Sequence, residues 1–373
     1  MPLSPRPVLI ALVLIAAWSM ATAAPTSKKP KKKPHAAKPA AASGPSYAHR
    51  KDAMQAADDI AARRSLNRKA VRRALAQAHY IPLIAKLILP PTVGTPKNWQ
   101  LYRSRFIEPV RIQAGVRFWQ TNREALARAE RETGVPEEII VGIIGVETIY
   151  GQQMGNYRVI DALATLSFDF PPSHPRATER SAFFRAELEE FLSLTQRSGI
   201  DPLTVRGSYA GAMGLPQFMP SSWSRFAVDY DDDDKIDLLR SPSDAIGSVA
   251  NYFKAFNWQP GLPTHYAVSF DAGTLDLEGL LLPDILPTFS VASFTTKGAV
   301  LDGAALQHKG PLALVELQNG DAPPSYLAGT ENFYAITRYN WSSYYAMAVI
   351  ELGQAVNAAV NPIKPPTEPK SPD

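Results

Sequence analysis

Apolar positions recur at helical spacing over most of this chain of 373 residues. From Asp52 to about Leu89, Ala, Arg, Leu and Gln dominate until Pro90-Pro91 stops the run, which predicts a helix. Over Trp99 to Glu132, Phe106, Val110, Gln113, Val116, Phe118 and Leu126 keep roughly to the same period and predict a second helical stretch. Gly134-Val135-Pro136 breaks it. Pro136 suits a first helical turn, and Glu137 and Glu138 suit the positive end of a helix, so a third is predicted from about Pro136 to Tyr150. Ala182–Thr195, Ser243–Phe256 and Tyr344–Val356 predict further helices. Between His265 and Thr337 the pattern changes. The short runs Tyr266-Ala267-Val268, Phe289–Phe294, Ala313–Leu317 and Phe333–Thr337 are separated by Gly, Pro, Asp and Asn, which predicts β structure. The fold class is mainly α, with a small β insertion (α+β), and no internal repeat is present.

The ends of the chain add a compartment. Arg6, the apolar run Val8–Met20 and the small residues Ala21-Thr22-Ala23 read as a secretory signal peptide over residues 1–23. The run is shorter than the ~20 apolar residues of a membrane-spanning helix, and no other segment reaches that length. An uncleaved N-terminal anchor is the alternative. The chain has no cysteine, which excludes disulfides, thiolate zinc sites, thiol nucleophiles and a lipidated cysteine together. The formal charge of +4 is local: residues 1–40 hold Arg6 and six lysines without an acid, leaving 32 basic against 35 acidic residues in the remainder. The Lys28–Lys38 stretch alternates Lys with Pro and Ala and reads as a solvated tether, or as an electrostatic contact to an anionic polymer or membrane surface. No nucleic-acid module follows it, so a nucleic-acid partner is not expected.

Glu147 is the candidate for chemistry. Ile140, Ile143, Ile144 and Glu147 fall on one stripe of the third helix, so an acid continues an apolar face. Burial there raises the pKa of a carboxyl, and an acid held protonated near neutral pH can protonate a leaving oxygen. A half-solvated helix-end glutamate paired with an arginine is the plainer alternative. Gly142 and Gly145 on the same helix suit close approach of another backbone. The Gly207–Ser222 run, rich in Gly, Pro and Met, reads as a folded loop in which Ser208 and Gln217 offer hydrogen bonds.

The run Gly145-Val146-Glu147-Thr148-Ile149-Tyr150-Gly151 resembles the active-site motif of the membrane-bound lytic murein transglycosylase B family (glycoside hydrolase family 103). Phe118-Trp119, Gly134-Val135-Pro136, Asp161–Leu166, Phe183-Phe184 with Glu187-Leu188, Gly207–Ser222, Asp244–Phe253 and Arg338-Tyr339-Asn340 resemble that family's core in the same order. The resemblance covers about Asp52 to Val356. It implies a lysozyme-like helical core with a helical N-terminal domain and a small β insertion, in a non-lipidated periplasmic member. It also implies an enzyme cutting the β-1,4 bond between N-acetylmuramic acid and N-acetylglucosamine. Glu147 would serve as general acid, then as base toward the muramic 6-hydroxyl, leaving a 1,6-anhydromuramic end. Ser208, Gln217, Phe218, Tyr252, Tyr339 and Asn340 are implied to line the cleft. No cofactor is expected for the chemistry. Asp161 and Asp169, the nearest acids, read as core and loop residues. A hydrolytic muramidase using the same glutamate is the first alternative, and a catalytically idle glycan-binding protein the second.

Asp229-Tyr230-Asp231-Asp232-Asp233-Asp234-Lys235-Ile236-Asp237 resembles an EF-hand loop. Asp229, Asp231 and Asp233 stand at positions 1, 3 and 5 and the Lys235 carbonyl at 7. Asp234 replaces the turn glycine and Arg240 the closing glutamate; in the resembling family a later acid closes such loops, here Asp244. A structural Ca2+ is the expectation, and a solvated acidic loop neutralised by Lys235 and Arg240 the alternative. The expected division is a signal peptide over 1–23, a basic linker over 24–48, a helical domain over 49–133 and a catalytic core with the acidic loop over 134–264. A β domain over 265–337, a C-terminal helix over 338–358 and a tail over 359–373 complete it. Glycan strands are the expected partner, enzymes of wall synthesis are candidate partners, and a monomer is the expected state.

Overall fold

The computed structural model describes residues 44–90 and 96–362. The expected signal peptide and most of the basic linker and of the tail lie outside the described residues. The elements run α1 (Lys51–Arg63), α2 (Arg68–Ala76), α3 (Pro82–Leu87), α4 (Trp99–Arg103), α5 (Pro109–Thr121), α6 (Arg123–Thr133) and α7 (Glu137–Thr148). After β1 (Tyr157–Arg158) come α8 (Val159–Phe168), α9 (Ala177–Arg197), β2 (Arg206–Gly207), α10 (Pro220–Phe226) and α11 (Pro242–Ala255). The insertion holds β3 (His265–Ala267), β4 (Ser269–Phe270), α12 (Leu277–Leu281), α13 (Val291–Thr296), β5 (Ala299–Val300), β6 (Ala313–Asn319) and β7 (Ala322–Gly329). The chain returns through α14 (Glu331–Tyr339) to α15 (Ser343–Val360).

Capping residues explain where the helical stretches divide. The predicted helix over Asp52–Leu89 is three helices: Ser65 turns left-handed (φ +54), and Asn67 caps α2 by accepting from Ala70 N–H. The stretch over Trp99–Glu132 is also three, with Asn98 capping α4 and the Glu108 carboxylate capping α5 ahead of Pro109. In the insertion, two predicted strands are helical. Ser290 caps α13 across the Phe289–Phe294 run, and Thr330 caps α14 across Phe333–Thr337. Strand β7, which no alternation announced, begins with exposed Pro323 and Pro324, residues that hide a strand from a pattern search; they are tolerated because β3 pairs with β7 only over Leu327–Gly329, which leaves the proline end paired on one side.

β3, β7 and β6 form an antiparallel sheet in that order, with His265 opposite Gly329 and Val315 opposite Leu327. Its two faces serve different cores. Val315 and Leu317 join a continuous apolar cluster that extends from Tyr47 to Val356. Leu312, Leu314 and Ala328 join a smaller cluster with Leu280, Phe294 and Leu301 inside the insertion. Among the described residues, no helix is long and apolar enough to cross a membrane.

The centre of the main cluster is α7, whose residues Ile139–Gly145 are all buried and which is packed by α5, α6, α11 and α15. α15 runs antiparallel to it at backbone distance. A Cβ on Gly142 would lie 2.3 Å from Val349 O, and one on Gly353 would lie 2.1 Å from Glu138 O. The close approach expected for Gly142 is therefore met by a carbonyl that cannot yield without moving a helix. Gly353→Ala is expected to destabilise the protein by roughly 1–3 kcal/mol, the range for overpacking, measured by urea unfolding; an unchanged midpoint would mean the two backbones are not in contact.

Candidate active site

Glu147 stands one residue from the end of α7, and the helix leaves through three consecutive left-handed residues, Ile149 (φ +51), Tyr150 (+55) and Gly151 (+86). Thr148 ties this exit to the Gly207–Ser222 loop: its Oγ1 donates to Leu215 O at 2.8 Å and accepts from Gly151 N–H at 3.0 Å. The loop closes on itself. Met213 and Phe218 exchange backbone hydrogen bonds of 2.8 and 3.0 Å, and Gln217 takes a left-handed φ of +51. Its Nε2 donates to Gly214 O at 2.9 Å and Met154 O at 3.2 Å.

These elements frame a cleft of about 190 Å³ with Glu147 in its wall. Gln217, Phe218, Tyr252, Tyr339 and Asn340 line it, five of the six binding residues read from the sequence. Ser208 is not among its lining residues; its Oγ instead accepts from Ala212 N–H (3.0 Å) and Ala210 N–H (3.3 Å) within the loop. The tyrosine hydroxyls are also engaged by main chain, Tyr252 Oη donating to Arg338 O at 2.7 Å and Tyr339 Oη to Pro216 O at 2.5 Å. These two residues therefore contribute ring surface to the cleft, packed around Phe218 at centroid distances of 5.8 Å.

The sequence reading missed the partner of Glu147. Tyr345, in the first turn of α15, donates its hydroxyl to Glu147 Oε1 at 2.5 Å, and the Tyr339 and Tyr345 rings face each other 6.4 Å apart. Glu147 is half-buried in the cleft wall, and desolvation there pushes its carboxyl up from 4.5 to about 7, against the pull of the Tyr345 hydrogen bond. Burial and the nearby Glu147 carboxyl hold both tyrosines well above their ordinary value, so they remain neutral. No local signal marks Tyr345, because the contact joins positions 198 residues apart.

A second carboxylate also lines the cleft. Glu187 on α9 is buried and is pushed above the usual carboxylate range by that burial. Both its oxygens are engaged, Oε1 accepting from Ser221 Oγ at 2.6 Å and Oε2 from Ser221 N–H at 2.9 Å. It thereby pins the first turn of α10 to α9. Arg225, Phe226, Phe256 and Trp341, none of them singled out by the sequence, also line the cleft, as does Arg338 of the Arg-Tyr-Asn motif.

In the acidic loop, Asp229, Asp231 and Asp244 converge, each offering a carboxylate oxygen within 4.8 Å of the others. Asp244 is 1% exposed; it accepts from Tyr230 N–H (2.8 Å) and Asp237 N–H (2.7 Å), and burial raises its pKa, with Asp231 and Asp229 adding to the rise. Asp233 is outside this set and accepts from Lys235 N–H at 2.9 Å. Asp234 takes the left-handed φ (+64) that the missing glycine would have taken. The arginines do not neutralise the trio: Arg240 pairs with Asp237 at 2.8 Å, and Arg128 reaches Asp232 at 3.6 Å. Three convergent hard oxygens, one of them deeply buried, fit a calcium ion by donor type.

The family model described as "Transglycosylase SLT domain" matches residues 49–354. The membrane-bound lytic murein transglycosylase B of Escherichia coli is 39% identical over 337 residues, covering 85% of each chain. The E. coli lytic transglycosylase SLT35 in complex with calcium superposes with a TM-score of 0.74 at 40% identity, covering 85% of this chain and 96% of that one. SltB3 of Pseudomonas aeruginosa, solved in complex with NAG-anhNAM-pentapeptide, gives a TM-score of 0.66 at 28% identity over 81% of this chain and 79% of that one. With a helical core of this type and a family match spanning most of its length, the chain belongs to the transglycosylase SLT domain family, the lytic transglycosylases of peptidoglycan.

Proposed function

We propose that Glu147 is the acid–base group of a reaction that cuts the β-1,4 bond between N-acetylmuramic acid and N-acetylglucosamine and leaves a 1,6-anhydromuramic end. The observation that carries this reading is a carboxyl in the cleft wall whose burial places its pKa at about 7. In that state it donates a proton to the departing glycosidic oxygen, then accepts one from the muramic 6-hydroxyl as that oxygen attacks the anomeric carbon. An internal nucleophile has a high effective concentration, so no protein carboxylate is needed to position water. The 2-acetamido group is a further candidate for internal assistance. Tyr345 keeps the carboxyl oriented, and Gln217 and Asn340 provide polar groups beside it. The anhydromuramic ligand named for the P. aeruginosa relative is consistent with this product class. Hydrolysis is the competing reading, because Glu187 shares the cleft; its engagement by Ser221 through both oxygens argues against a free base for water. Residues 1–23 support export to the periplasm.

Asp229, Asp231 and Asp244 would hold a structural calcium ion, as the E. coli relative was solved with calcium. The ion would neutralise converging carboxylates and fix the chain entering α11, with no part in the chemistry.

Four outcomes are expected. Mass spectrometry of products from purified peptidoglycan should find anhydro-muropeptides with the parent and at least a hundredfold fewer with Glu147→Gln, roughly the weight of a general acid–base group; reducing muramic ends, heavier by one water, would assign hydrolysis instead. Activity should decline as pH rises through about 7, where Glu147 loses its proton. Stability follows the same group: a folded pKa of about 7 above an unfolded 4.5 means the native state holds the extra proton between those values, so stability is lost as pH rises across that window. Glu147→Gln should therefore gain about 3 kcal/mol relative to the parent at pH 8 and almost nothing at pH 4, read from urea midpoints. Calcium should raise the melting temperature, by the equivalent of about 2.7 kcal/mol at a hundred times its Kd, and Asp244→Asn should abolish the shift; a parent indifferent to calcium and chelator would remove the ion.

A further inference from the structure

Helix α7 ends in an unusual way, and a side chain from another helix completes it. In a continuing helix Tyr150 N–H would reach Val146 O; here it bonds to Ile144 O at 3.3 Å. The Val146 carbonyl is taken by Arg111 Nη1 at 3.3 Å, and the same nitrogen lies 2.7 Å from Gly145 O. Arg111 belongs to α5, is 6% exposed, and holds its guanidinium 5.1 Å from the Phe106 ring centroid. Glu108 stays 3.9 Å from Nε because its oxygens cap α5 through the N–H groups of Val110 and Arg111. Nε itself is buried without a hydrogen-bond partner among the described residues. A cation buried this far without a close counter-ion is destabilising in itself, and what it secures are the two carbonyls immediately before Glu147.

The need for such a clamp is visible two residues beyond Glu147. Ile149, Tyr150 and Gly151 are all left-handed, a conformation that non-glycine residues resist. If those residues relaxed, the last turn would rotate and carry Glu147 away from Tyr345. Tyr150 braces the turn from the same side as Arg111: a Cβ on Gly115 or on Gly145 would lie 2.4 Å from its hydroxyl.

We propose that Arg111 is a positioning residue, locking the last turn of α7 so that the Glu147 carboxyl stays against Tyr345 and the cleft. The inference rests on Glu147 being the acid–base group. It is tested by the rates of anhydro-muropeptide release, across pH, for the full chain and for Arg111→Met and Arg111→Lys. The Met variant is expected to lose roughly tenfold or more in kcat, as for a displaced catalytic group, with KM within about twofold. Its alkaline limb should also move upward, because a loosened Tyr345 bond no longer opposes the effect of burial on Glu147. The Lys variant, which keeps the charge and one compact donor group, should fall between parent and Met variant in both respects. Parental kcat and a parental limb in the Met variant, even at a lower melting temperature, would reduce Arg111 to a structural role and overturn the proposal. Should the Met variant not fold, the Lys variant decides: parental values overturn the proposal, and a lowered kcat with a raised limb supports it. The parent separates the two claims, since a parent without a limb near 7 removes the Glu147 reading itself.

Discussion

The contact on which the rest depends is that between the backbones of α7 and α15. Two antiparallel helices normally keep their axes apart by the width of their side chains. Here Gly142 meets the carbonyl of Val349 and Gly353 meets the carbonyl of Glu138. Bringing the axes together sets the ladder of pairs along both helices, and the final pair is Glu147 with Tyr345. The Glu147–Tyr345 hydrogen bond is therefore specified by glycines one to two turns away. A methyl group at either glycine would alter the spacing at the carboxyl as well as the stability of the core.

Burial at that contact has opposing consequences. It surrounds a carboxyl with apolar and aromatic groups, which makes the charged form costly and the protein less stable near neutral pH. The same cost keeps a proton available for donation. Tyr345 moderates the effect by giving the anion one hydrogen bond, which eases release of the proton. The left-handed exit of α7 belongs to the same compromise, since it turns the chain sharply after Glu147, and Thr148 ties it to the loop that supplies Gln217 and Phe218.

Much of this arrangement was legible in the sequence, and the remainder for identifiable reasons was not. Glu147 was visible because an acid interrupted an isoleucine stripe and stood within the Gly145–Gly151 motif that carried the family resemblance, and Gly142 because a glycine in a helix interior asks for a close neighbour. Runs such as Phe333–Thr337 were misread because aromatic and β-branched residues dominate them, while the decisive signal was the capping Thr330 just before. Tyr345 and Arg111 escaped notice, and Glu187 was read only as part of a core motif, because each acts through a partner distant in sequence, and nothing local distinguishes a tyrosine that will meet a glutamate from one that will fill a core. Ser208 differs from the other motif residues: its hydroxyl oxygen accepts from the loop's own backbone.

The central claim is that burial, not a second carboxylate, keeps Glu147 protonated near neutrality. The most direct measurement is a carboxyl-selective 13C NMR titration of the protein, with Glu147→Gln as the blank that identifies the resonance. A midpoint near 7 agrees with the burial seen here. A midpoint near 4.5, the value of a solvated glutamate, would contradict it.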